Sequence, residues 1–181
     1  MVGFLCLLSI IHKKDMEIET LEKVLFIFGP NVLNFNKRPQ QHYGMTNYAH
    51  TERLTSFDTL WYELNNNIAY DFYIKLKDLC SEGDIIAALQ EAYQKYDAII
   101  VNLGGYTHTS VAIHDCLEYR PIPVISVHQS NIYAREDFRK TDLIAPVTDL
   151  QISGAGETVY ILALQAVKHL IARQKFFKNE Q

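Results

Sequence analysis

YDAIIVNLGGYTHTSVAIHDCLEYRPIPVISVHQSN, residues 96–131, sets two short apolar runs on either side of an amphipathic stretch. The first run, Asp97–Val101, is continuous and ends at Asn102; the second, Pro123–Val127, has the same character and ends at His128. Between them Thr109–Leu117 offers Val111, Ile113 and Leu117 for packing, as one face of a helix would. Strands apolar on both sides are covered on both sides, and two of them joined through a helix make a parallel crossover unit.

The same alternation extends outward. Lys23–Phe28 is an apolar run closed by Gly29-Pro30, which reads as a buried strand. Leu54, Phe57, Leu60, Trp61 and Leu64 share a helical face within Leu54–Asn66, and Ala69–Leu76 alternates Phe72, Ile74 and Leu76 as a strand does. Ser81 or a neighbour opens a helix through Tyr93, with Ile85, Ile86, Leu89 and Tyr93 inward. A weaker strand around Leu150–Ile152 leads through Gly154 and Gly156 into a helix over Val159–Ile171. The expected fold is α/β: a flavodoxin-like, doubly wound parallel sheet in a single domain over residues 23–181, preceded by an extension over 1–22.

Composition narrows the function classes. A chain of 181 residues with 48% hydrophobic side chains fills one ordinary core. Its net charge of −4 gives no basic footprint, so no nucleic-acid partner is expected. Cys6, Cys80 and Cys116 are an odd set without CxxC spacing, which argues against a disulfide framework or a zinc site and fits a reducing, cytoplasmic location. Val2–Ile11 is apolar but too short to span a bilayer and has no basic leader, so no membrane partner is expected. An added helix or strand, packed on the domain or on a neighbour, is the reading for that segment.

Ligands of open parallel sheets sit beyond the carboxyl ends of the strands. There the chain delivers Asn31 after the first strand, Asn102 and His108 after the third, and His128, Ser130 and Asn131 after the fourth. Arg38, Tyr43, Arg135 and Arg139 follow on adjoining loops. Taken singly, a strand-end histidine is ordinarily structural and an asparagine after a strand ordinarily caps a helix. No GxGxxG or P-loop pattern and no metal-ligand spacing occurs, so neither cofactor nor metal is expected. Together these residues point to a site for a small molecule.

Three segments resemble the type II dehydroquinases. GPNVLNFNKRPQQHYG (Gly29–Gly44) is similar to the family's Gly-Pro-Asn opening and Arg…Tyr-Gly lid loop. NLGGYTHTSVAIHD (Asn102–Asp115) is similar to its Asn-x-Gly-(Gly/Ala)-x-Thr-His-Thr-Ser stretch, and VHQSNIYAREDFR (Val127–Arg139) to its His-x-Ser-Asn…Ala-Arg-Glu-x-Phe-Arg stretch. The resemblance runs from about Val24 to the last helix. It implies dehydration of 3-dehydroquinate to 3-dehydroshikimate by anti elimination through an enolate, without a Schiff base.

By the same resemblance Tyr43 is the base, Arg38 favours its ionised form, Asn31 helps hold a water at the enolate oxygen, and His128 is the general acid. Asn102, His108 and Arg139 contact ring hydroxyls or orient the ring. Gln129 and Ser130 receive the substrate carboxylate. Arg135 and Glu82 support the site. The acid matching Asp115 reaches a neighbouring subunit's site within trimers grouped into a dodecamer.

The chain departs from the pattern in several places. Ser126 stands where the family usually has an acid two residues before the general-acid histidine. His128 is therefore expected to lack its usual carboxylate and the enzyme to be weak, unless another acid such as Glu82 takes that place. Pro39-Gln40, Ser81, His114 and Tyr133 also differ, and the stretch from Gly44 to Glu82 is longer than usual. The competing function is a weakly active or non-catalytic paralogue that binds a small molecule or serves as a scaffold. A nucleotide or flavin binder fits less well, because Pro30 offers no N–H to a phosphate.

Overall fold

A computed structural model of the chain describes residues 21–33 and 72–179. Residues 1–20, the helix expected over Leu54–Asn66, and Arg38 and Tyr43 lie outside the described residues. The strands are β1 (Glu22–Phe28), β2 (Phe72–Asp78), β3 (Ala98–Asn102), β4 (Val124–His128) and β5 (Leu150–Ser153). The α-helices among the described residues are α1 (Glu82–Lys95), α2 (Val111–Glu118) and α3 (Thr158–Asn179). The sheet order is β2-β1-β3-β4-β5, and every neighbouring pair is parallel. This is the flavodoxin-like order expected from the sequence, chosen there among the open parallel sheets that alternating strands and helices allow.

Side-chain alternation builds a core on each face of the sheet. Val24, Phe26, Phe28, Ile100, Ile125 and Val127 meet Val159, Tyr160, Ala163, Leu164 and Val167 of α3. Leu25, Ile27, Ile99, Val101 and Val124 meet Ile85, Leu89 and Ala92 of α1, and Ile113 and Leu117 of α2. Both faces are buried, which is why β1, β3 and β4 read as unbroken apolar runs. β2 is at the edge, and its buried Phe72 and Ile74 alternate with exposed Tyr73 and Lys75, giving the period-two pattern.

Candidate active site

The order 2-1-3-4-5 reverses direction between β1 and β3, and a crevice opens at the carboxyl ends of the strands at such a point. Here it is a cavity of about 290 Å³ lined from three strand ends: Pro30 and Asn31 after β1, Asn102 and His108 at and after β3, His128, Gln129 and Ser130 at and after β4. Ile132, Arg135 and Arg139 complete the far wall. The site residues expected at 31, 102, 108, 128, 129, 130, 135 and 139 therefore share one cavity.

Backbone geometry presses the first two loops together. Gly29 donates its N–H to the Asn102 carbonyl at 2.8 Å, and a Cβ on Gly29 would lie 2.4 Å from the Leu103 carbonyl oxygen. Only glycine fits so close an approach. Asn31 follows with φ of 65°, the left-handed region that asparagine tolerates better than most residues. That turn leaves Asn31 lining the cavity instead of extending the strand.

Several polar wall residues are held by a second one. Asn102 is buried and donates through Nδ2 to the Tyr160 hydroxyl of α3 at 2.8 Å. His108 sits in the 3₁₀ turn Gly104–His108, and its Nδ1 lies 2.7 Å from the Thr141 carbonyl oxygen. A carbonyl only accepts, so Nδ1 carries the hydrogen and Nε2 of the neutral ring keeps its lone pair. The His108 and His128 rings stack at 6.3 Å with 14° between their planes. Ser130 Oγ accepts from Arg135 Nη1 at 3.3 Å, and Glu136 ties Arg135 Nε at 3.3 Å to Arg139 Nε at 3.0 Å.

His128 corrects one expectation. Its Nε2 lies 3.2 Å from Oδ2 of Asp142, with both side chains almost wholly buried (6% and 3% exposed). Asp142 Oδ1 also accepts the N–H groups of Ile144 and Ala145, each at 2.9 Å, and Oδ2 takes Gln151 Nε2 at 3.4 Å. Burial pushes the Asp142 carboxyl up, but the His128 hydrogen bond, the two amides and the imidazole charge outweigh it and hold the group below the ordinary carboxylate range. So His128 does have a carboxylate partner, although Ser126 is not an acid and its buried Oγ has no hydrogen-bond partner among the described residues. Glu82 does not fill that place either, since its Oε1 accepts from Ser110 Oγ at 2.5 Å.

Asp142 and Tyr160 are the functional neighbours that the sequence reading missed. Neither lies at a strand end or in a recognisable spacing with the residue it holds. Asp115 is exposed on α2, pairs with His114 Nδ1 at 3.1 Å, and does not line the cavity. His114, Asp115 and Glu118 bring possible metal-ligating atoms within 4.8 Å of one another, but as surface groups of α2 away from the cavity. No helix among the described residues is long and apolar enough to cross a membrane.

Comparison with known proteins joins this geometry to a family. The sequence model described as dehydroquinase class II matches residues 22–168. The 3-dehydroquinate dehydratase of Thermoanaerobacter pseudethanolicus is 41% identical over 155 residues, covering 83% of this chain and 96% of that protein. The 3-dehydroquinate dehydratase of Fusobacterium nucleatum is 43% identical over 144 residues, covering 78% and 93%. The crystal structure of type II dehydroquinase from Butyrivibrio crossotus superposes with a TM-score of 0.69 at 35% identity, covering 82% of this chain and 99% of that one. An all-parallel 2-1-3-4-5 sheet, a polar cavity at its switch point and these matches over most of the chain make this protein a member of the class II dehydroquinase family.

Proposed function

We propose that the protein is a hydro-lyase that removes water from 3-dehydroquinate to give 3-dehydroshikimate. The observation that carries the proposal is the gathering of Asn31, Asn102, His108, His128 and Arg139 in one cavity of a chain from this family. A ring acid with several hydroxyls needs donors and acceptors spread around it, a group to protonate the leaving oxygen and a place for its carboxylate. The cavity has residues for each need.

Tyr43 takes the proton from the carbon beside the ketone, and its electron pair moves to the ketone oxygen as an enolate. Arg38 supplies the opposite charge that favours tyrosinate, since a free tyrosine titrates near pH ~10. A water held with the help of Asn31 donates to the enolate oxygen. The enolate then collapses, and the hydroxyl leaves as water with a proton from His128. Asn102, His108 and Arg139 hold the ring, while Ser130 and the backbone near Gln129 receive the carboxylate. Each step is an acid–base transfer between side chains and substrate, so no imine with a lysine is involved.

The deciding experiment follows the enone absorbance of the product on adding 3-dehydroquinate. Turnover that survives borohydride in the presence of substrate supports the enolate route. No turnover by the wild type overturns the function, and borohydride inactivation with mass added to a lysine overturns the route. Free Cys80 and Cys116 support a reducing, cytoplasmic setting for this activity.

A further inference from the structure

The geometry points to Asp142 as the positioning residue of His128, fixing Nδ1 as the ring atom that delivers the proton; this rests on the reading of His128 as general acid. An ionised carboxylate only accepts, so with Asp142 Oδ2 at 3.2 Å the hydrogen sits on Nε2. That nitrogen is committed to the protein interior. The proton that makes the ring an acid must then reside on Nδ1, on the ring that lines the cavity.

Asp142 is itself immobilised. The Ile144 and Ala145 amides hold Oδ1, and Gln151 reaches Oδ2 from β5. Gln151 is the register partner of Ser126 on β4, so the carboxylate is braced across the two strands that carry the histidine and its support. Ser126 lies two residues before His128 on β4, and its hydroxyl has no partner among the described residues, so it does not share the task. The neighbouring residue extends the device: the Thr141 carbonyl fixes His108 at 2.7 Å, and the His108 ring stacks on that of His128. Residues 141 and 142 thus act as a two-residue bracket for two imidazoles, one through backbone and one through side chain. Among the described residues, the other charged side chains that line the cavity are Arg135 and Arg139.

Asp142→Asn keeps an oxygen for the two amides but offers Nε2 an N–H instead of an acceptor. Expected is a fall in kcat of about 10- to 100-fold, inside the ~10²–10⁴-fold that general-acid catalysis contributes, with KM changed less than about threefold. Combining Asp142→Ser with Ser126→Glu, which brings a carboxylate to the same ring from β4, should recover part of the kcat lost by Asp142→Ser alone. A variant with wild-type kcat, or one that loses only substrate affinity, overturns the assignment.

A second readout needs no turnover. In the wild type the hydrogen-bonded Nε2–H of His128, identified by its loss in His128→Asn, should give a proton resonance downfield of the backbone amides. Its absence overturns the assignment even if the substitutions at 142 fail to fold. A wild type inactive on 3-dehydroquinate fails the proposed function instead, and the resonance alone then decides the pairing.

Discussion

A histidine has two ring nitrogens, and a buried one must spend at least one of them on the protein. In this site His108 spends Nδ1 on a carbonyl and His128 spends Nε2 on a carboxylate, so the stacked rings turn different atoms toward ligand. The difference in partner suits the difference in role: the carbonyl takes the Nδ1 hydrogen of His108 and leaves its Nε2 to accept, while the carboxylate takes the Nε2 hydrogen of His128 and leaves its Nδ1 to exchange a proton. Replacing His128 with Ala should lower kcat by roughly 10²–10⁴-fold, the general-acid contribution, with KM little altered in the enone assay. Tyr160→Phe should act differently. It removes the hydroxyl that holds Asn102 Nδ2 and leaves a buried donor short of that partner, at a cost of about 1–3 kcal/mol to stability. It should also raise KM more than it lowers kcat; urea unfolding and initial rates check the two parts separately. The polar residues at or just beyond the ends of β1, β3 and β4 were legible as a site because several of them gather at one edge of the sheet, although each taken singly reads as structural. Asp142 was not legible. It lies 14 residues beyond His128, and only the return of the chain to β5 brings the two together.

At the scale of elements, boundaries follow caps more closely than they follow apolar spacing. Thr109–Leu117 reads as a helix by its apolar positions, yet α2 starts at Val111 because Ser110 Oγ accepts the Ile113 N–H at 2.9 Å. Residues 104–108 form a 3₁₀ turn, for which the sequence has no periodic signal. Ser81 caps α1 in the same way, with Oγ accepting from the Asp84 N–H at 3.1 Å, and here sequence and structure agree. α3 runs to Asn179, past the apolar stripe that ends at Ile171, since its last turns expose Phe176 and Phe177 and carry no inward face to read. The Ser110 cap has a further duty, because its hydroxyl also donates to Glu82 and so ties the start of α2 to the start of α1. Ser110→Ala should therefore cost more than an isolated cap, whose loss is about 1 kcal/mol. The deficit should shrink in Ser110→Ala with Glu82→Gln, where no unpaired charge is left part-buried. Thermal unfolding of the wild type, the two single variants and the double variant measures that coupling; strict additivity would mean the two helix starts are independent.

For the whole molecule, the parallel order 2-1-3-4-5 makes the site a property of the sheet, because no single segment contains it. Its stability and its chemistry consequently share a group, Asp142, and this gives a pH dependence whose sign is fixed. The folded Asp142 carboxyl titrates below its ordinary value of 3.8, so the folded state binds fewer protons at this position than the unfolded chain in that range. The group therefore contributes stability fully above the unfolded value, and the contribution is lost as pH falls through the lowered folded value. Asp142→Asn removes the titration while keeping an acceptor for the Ile144 and Ala145 amides. The variant should thus be less stable than the wild type at neutral pH, and the gap should narrow as pH drops below about 4, where the wild-type carboxyl gains its proton and the two side chains become alike. Glu91, between Lys77 and Lys95, is also lowered, to about 2, but it is a surface group present in both proteins and cancels from the difference. Urea midpoints for both proteins at intervals from pH 7 to strongly acid conditions test the expectation. A gap that stays constant across the series would mean that the His128–Asp142 pair is not an ion pair in the folded protein. The bracket at 141–142 would then hold the ring by shape alone.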